Sequence, residues 1–345
     1  MSKMDKYSKR ERLAMTLKGI IPDRPPITAY RHFPVDEGKK DRLIDVMIKW
    51  QEEYDWDFIK LHPPAVYMQE VWGDTFDFDN YYQEVFPTKT GNTYGEVNLS
   101  MFTPQNADNP YLAEQVDMVH QVVEHFHKEL PVFQTMFTPL QTISGVFDCQ
   151  FIRRHFPADR NQNDIFRMIK DEPKALQEAL YNITQTYIAY WKKLHDAGAE
   201  GLFYAGVSWA REGLMTLEEW ETYVAQYDRM FLNEVHKDGG LVIYHTCGIT
   251  SNPQRFADFP IDILHWDQGA QNPSIKESLS FLKGITPMGG VDEMIFGNHA
   301  EAKIKGLTEK CLEENKNVPY ILAPYCSVSV HSSDAELRAF RDAVK

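Results

Sequence analysis

The segment LVIYHTCGIT, residues 241–250, ends an apolar, β-branched run with a histidine and a cysteine two positions apart. Residues i and i+2 of a strand share a face, so His245 and Cys247 are expected to project the same way. A third ligand-type residue, Cys326, closes a second apolar run, YILAPYCSV (320–328). Two thiolates and an imidazole suit zinc, and three protein ligands leave a fourth position for substrate. Taken singly, each cysteine reads as a small buried apolar residue and the histidine as a hydrogen-bonded core residue. All three at strand ends read as a catalytic metal site. Glu212 and Asp267 are candidates for a fourth ligand in the resting state. Cys311 falls on the apolar stripe of a helix, and Cys149 has no ligand-like neighbour in sequence.

The elements that must position these residues alternate. From residue 200 onward the expected strands are 201–208, 241–248, 263–269, 286–292 and 320–328, each followed by a helical pattern. Capping boxes open two of those helices, Thr216 with Glu219 and Ser333 with Glu336. The first half supplies PPITAYR (25–31), DFIKLHP (57–63) and LPVFQTMFTP (130–139) as three more strands. Helices are expected at about 40–54, from about 161, and from Pro173 to 196. Eight βα units with near-continuous apolar strands predict an α/β fold, a (β/α)8 TIM barrel, as a single domain over 1–345. An insertion at about 64–129, between the second and third strands, carries an expected hairpin around GNTYGEVNLSMF (91–102). A doubly wound fold is disfavoured, because no GxGxxG or GxxxxGK[ST] follows any strand.

Composition narrows the function classes. Fifty acidic against 36 basic residues give a net charge of −14, which repels phosphate backbones and argues against nucleic acid. No apolar run reaches membrane-spanning length, and the first twenty residues lack the apolar core of a secretory signal. Four cysteines in 345 residues are too few for a disulfide framework. A soluble cytoplasmic enzyme is expected.

Several stretches resemble a known family. DQGAQNPSIKESLSFLKGITPMGGVD, YILAPYCSVSV and the helix AELRAFRDAV are similar to the C-terminal half of the uroporphyrinogen decarboxylase superfamily. GGVDEMIFGN resembles its G-N-V-D-P segment, and PDRPPITAYR its first barrel strand. The decarboxylases of that family resemble R-Q-A-G-R after strand one and carry an aspartate after strand two. Here Arg31 matches the first arginine, but His32–Phe33–Pro34 follows, and Leu61–His62–Pro63 stands where the aspartate is expected. A substrate with eight carboxylates also needs many cations, and apart from the pair Arg153 and Arg154 few are at hand.

The other branch, the cobamide-dependent methyltransferases, methylates a small thiol such as coenzyme M. Its signature resembles H-x-C followed some seventy to eighty residues later by a cysteine, and His245–Thr246–Cys247 with Cys326 has that pattern. The chain departs from it in having Tyr325 before the last cysteine, and no proline in Ser327–His331 after it. The resemblance implies Zn2+ on these three residues, a methylated corrinoid (methylcobalamin) as methyl donor, a corrinoid protein as partner, and a small thiol as acceptor. Arg31, His62, Asp267 and Asp292 are the expected substrate-orienting catalytic residues, with Gln134 or Gln141, Ser208 and Arg211 beside them. The rival readings are a uroporphyrinogen decarboxylase and a non-enzymatic corrinoid or tetrapyrrole carrier. The carrier lacks support, since no D-x-H-x-x-G motif is present.

Overall fold

The computed structural model describes residues 5–82, 84–148, 160, 163–269 and 271–345. Cys149 and the pair Arg153 and Arg154 lie outside the described residues. A curled parallel sheet of seven strands organises the chain. Its members are β1 (Ile59–Lys60), β4 (Val132–Phe137), β5 (Gly201–Val207), β6 (Leu241–Thr246), β7 (Ile263–His265), β8 (Thr286–Val291) and β9 (Ile321–Pro324), side by side in that order. The remaining two strands, β2 (Asp74–Tyr82) and β3 (Phe86–Asn92), form a separate antiparallel hairpin. Among the described residues, no helix is long and apolar enough to cross a membrane.

The expected first strand, 25–31, is reduced to a single parallel bridge between Ile27 and Leu322. Pro25 and Pro26 have no N–H to give a ladder. The Ile27 N–H goes instead to the Asp57 carboxylate, at 2.8 Å. The segment nevertheless touches both edge strands of the sheet: Leu322 N donates to Pro26 O at 2.8 Å, while Asp57 N donates to Ile27 O at 2.9 Å.

The hairpin also falls earlier in the chain than expected, at 74–92 rather than 91–102. Asp74, Asp77 and Asp79 are poor strand formers, and they hide the alternation of DTFDFDNYY. Gly95, with φ of +83°, serves the turn that follows β3. Other expectations match closely. Helices run over Lys40–Tyr54 and Pro173–Asp196, and both expected capping boxes are formed. The helix at 275 stops after Ser278, shorter than its stripe suggested.

Alternation along the strands divides the core in two. The outer faces pack with the helices into a large cluster containing Trp72, Trp191, Trp220 and Trp266. The inner faces enclose a smaller cluster that includes Phe58, Phe133, Phe203, Ile243, Ile263 and Met288. Leu13, from the helix Lys9–Leu17, belongs to this inner cluster. In the same inward register, two residues beyond Phe58, come Lys60 and then His62, and two beyond Ile243 comes His245.

One carboxylate of the outer layer makes stability depend on pH. Asp228, fully buried, accepts hydrogen bonds from the Tyr204 and Tyr244 hydroxyls, each at 2.8 Å. Burial outweighs those two bonds and pushes its pKa up to about 7. The native state therefore keeps this proton at pH values where the unfolded chain, near its ordinary ~3.9, has released it. Stability should fall as pH rises from about 4 towards about 7, by on the order of a few kcal/mol from this residue. Burial raises Glu70, to about 8, and Asp74, to about 6, with the same sign. Urea titrations across that range should show a shallower slope in Asp228→Asn than in the wild type. An unchanged slope would mean that Asp228 is ionised throughout.

Candidate metal centre

The strands deliver three ligand-type side chains to one end of the curled sheet. His245 is the fifth residue of β6, and Cys247 follows one residue past its end, with its N–H held by Val207 O at 2.7 Å. Cys326 stands two residues past β9, after Tyr325 N bonds Val291 O at 2.9 Å. The donor atoms of His245, Cys247 and Cys326 all lie within 4.8 Å of one another. The two sulfurs are 4.0 Å apart, and Cys326 Sγ is 3.6 Å from His245 Nε2. A tetrahedral zinc ion with ordinary bond lengths would set its S···S edge at ~3.8 Å and its S···N edge at ~3.6 Å. Those two edges match a zinc ion, and the donor types are the ones zinc prefers.

The imidazole is braced by rings. His245 packs against His265 with centroids 4.7 Å apart, and against Phe203 at 5.4 Å. His265 Nε2 lies 2.8 Å from Pro324 O, so it carries the proton, and Nδ1 accepts from Tyr30 O–H at 3.1 Å. Burial first, and the neighbouring His245 second, hold His265 well below the ordinary histidine range. It is a neutral wall and not a competing cation. His245 Nδ1 is buried with no hydrogen-bond partner, which leaves Nε2 as the atom that faces the thiols.

The cluster opens on a cavity of about 780 Å3. Phe137, Phe203, Ala205 and Val207 wall its interior, while Val85, Phe86, Met294 and Phe296 lie along it as well. Val207 has φ of +48°, rare for a β-branched residue, at a bulge in β5. That strain sits beside the candidate ligands, where local strain tends to be kept for function.

Of the other expected site residues, His62 and Ser208 line this cavity. Arg31 does not. Its guanidinium donates to Val330 O and Ser332 O and stacks over Phe33 and Trp50. Asp267 is buried and accepts the Gly269 N–H at 2.8 Å, and Asp292 caps the turn at Met294 at 2.8 Å. Gln134 Nε2 reaches the Tyr190 hydroxyl at 3.5 Å, and Gln141 is buried in the helix Pro139–Val146. Arg211 Nε binds Ile249 O at 3.0 Å, and Glu212 is exposed. Neither Asp267 nor Glu212 joins the three ligands.

Two residues of the site went unnoticed in the sequence: Lys60, which lines the cavity, and His265, which packs against His245. Lys60 is 5% exposed, and its Nζ lies 2.8 Å from His62 Nδ1. Burial pushes this ammonium well below the lysine range, and Cys326 acts in the opposite direction. His62 is likewise lowered by burial, then by Lys60 and His32. The spacing Phe58, Lys60, His62 in DFIKLHP was the signal available for Lys60, since period two puts all three on one face.

Comparison with known proteins agrees with this architecture. The profile of uroporphyrinogen decarboxylase (URO-D) matches residues 8–345. No curated protein matches the chain. Among solved structures, a methyltransferase from Methanosarcina mazei is similar with a TM-score of 0.75 at 15% identity, covering 98% of each chain. A B12-independent methionine synthase from Shewanella sp. W3-18-1 is similar with a TM-score of 0.57 at 11% identity, covering 93% of this chain and 97% of that one. At such identities the likeness is one of fold. With the profile matched from the first helix to the last residue, the chain belongs to the uroporphyrinogen decarboxylase family.

Proposed function

We propose that the chain is a zinc-dependent methyltransferase that moves a methyl group from a methylated corrinoid, carried by a partner protein, to a small thiol. The observation that carries it is the His245, Cys247 and Cys326 cluster opening on a substrate-sized cavity. A zinc ion held there would keep an incoming thiol as its thiolate at neutral pH. His245 Nε2 and the two cysteine sulfurs fix that position, and the ring stack of Phe203 and His265 prevents the imidazole from turning. Phe137, Phe203 and Val207 exclude water from the acceptor sulfur and leave it facing the open end of the cavity. The sulfur forms a bond to the methyl carbon as the cobalt–carbon bond breaks, and that electron pair stays on cobalt. The same proposal takes the ring as a closed eight-membered barrel, with Pro26–Thr28 as its shortest member. The fold likeness to the Methanosarcina methyltransferase supports it.

The decarboxylase alternative has less to rest on. No arginine and one lysine line the cavity among the described residues. A porphyrinogen bearing eight carboxylates would meet too few cations there. The decisive assay mixes the enzyme anaerobically with methylcobalamin and a panel of thiols. The expected result is the absorption of cob(I)alamin with at least one thiol. If no thiol demethylates the cofactor and uroporphyrinogen is converted to coproporphyrinogen, the decarboxylase reading takes over.

A further inference from the structure

Lys60 is the one ammonium that lines the cavity among the described residues. Its Nζ donates to His62 Nδ1 and lies 4.5 Å from the ring centroids of both Tyr30 and Phe203. Among the described residues, no carboxylate pairs with it. Burying an ammonium with no carboxylate beside it is unfavourable, and an imidazole lone pair, two ring faces and the attraction of the Cys326 sulfur offset that only in part. A hydrocarbon side chain would fill the same space more cheaply, so stability does not account for a lysine here.

Its position relative to the metal centre suggests what it receives. The Phe203 ring lies 4.5 Å from Lys60 Nζ and 5.4 Å from the His245 ring. One phenyl ring therefore separates the ammonium from the metal-binding imidazole, and a molecule of a few carbons can touch both. Arg31, the other basic residue of this neighbourhood, is turned away to backbone carbonyls. The overall charge of −14 gives no long-range attraction for a small anion, so selection for one has to be local.

We propose that Lys60, steadied by His62, is the specificity residue of the cavity and receives the oxyanion, a carboxylate or a sulfonate, of a short-chain acceptor whose other end lies at His245, Cys247 and Cys326. The identity of that other end as a thiol rests on the methyl-transfer proposal. The oxyanion does not. A charge-assisted hydrogen bond in a water-poor pocket separates an anionic acceptor from its neutral analogue more sharply than an apolar contact could.

Two measurements test it. In the first, propionate, ethanesulfonate and propanol are titrated calorimetrically into wild type and Lys60→Met. The two anions should bind Lys60→Met at least about tenfold more weakly than wild type, with propanol indifferent to the lysine. The tighter of the two anions identifies the group. Lys60→Met replaces a buried charge by a hydrocarbon of similar length, so its melting temperature should be no lower than the wild type's. Equal anion binding with and without Lys60, or none to either protein, overturns the proposal.

In the second, methylcobalamin demethylation is followed with 3-mercaptopropionate, 2-mercaptoethanesulfonate and 2-mercaptoethanol. The preference in kcat/KM for the anionic thiols should collapse towards unity in Lys60→Met, chiefly through KM. If anions bind through Lys60 but no thiol is methylated, the methyl-transfer proposal fails and the oxyanion site stands. If all three thiols react without preference in both proteins, the oxyanion site fails and methyl transfer stands.

Discussion

Protein purified without chelator should contain about one zinc per chain, and Cys326→Ser should remove nearly all of it together with thiol methylation. The size of the effect follows from ligand count. A three-ligand site reduced to one thiolate and one imidazole loses one of the two soft donors that select zinc, and serine is not deprotonated at neutral pH to replace it. Cys247→Ser should behave in the same way, because its sulfur is 4.0 Å from that of Cys326 and the two form one edge of the site. The fold should stay intact in both variants. Both cysteines stand beyond the last residues of their strands and outside the inner cluster of Phe133, Phe203, Ile243 and Met288. Far-ultraviolet circular dichroism should therefore be unchanged while elemental analysis reads close to zero. Zinc retained at the wild-type level in both variants would place the metal elsewhere.

That prediction could be framed from the sequence because its residues stand at the ends of strongly apolar strands, where period-two alternation and strand order are both readable. β5 and β6 begin where expected, and the register pairs Ala205 with His245 and His245 with His265 across neighbouring strands. Where polar chemistry competes with the pattern, legibility falls off. The first strand looked sound by composition, yet two prolines remove its donors and Asp57 takes the N–H of Ile27. The hairpin was misplaced because acidic residues mask its alternation. Arg31 matched a family motif by position, but a side chain of that length can turn, and here it stacks on Phe33 and Trp50. Lys60 was overlooked for the opposite reason. A charged residue inside an apolar run reads as an interruption, while its significance lies in facing inward, which only the register reveals.

Asp57→Ala is expected to destabilise the chain by ~3–5 kcal/mol, among the largest effects of any single replacement, although the residue is far from the ligands in function. Asp57 is fully buried and takes three partners. Arg12 Nη1 donates to it at 2.7 Å, Arg24 Nη1 binds its other oxygen, and the Ile27 N–H completes the set at 2.8 Å. Arg12 is itself fully buried, so alanine at 57 leaves a guanidinium without its deepest counter-charge, with Asp23 remaining. It also leaves the Ile27 N–H without its acceptor, although the backbone bond from Asp57 N to Ile27 O remains. The loss is therefore larger than that of an exposed ion pair, which is worth about 0–1 kcal/mol. Asp57→Asn, which keeps an acceptor for Ile27 but not the charge, should fall between alanine and wild type. Combining it with Arg12→Met should recover part of the loss, because the stranded charge is then gone. Denaturant titrations of wild type, Asp57→Asn, Arg12→Met and the double variant give the cycle directly. A cost under about 1 kcal/mol for Asp57→Ala would mean that the backbone bonds alone hold Ile27 in place, and that this buried network is dispensable.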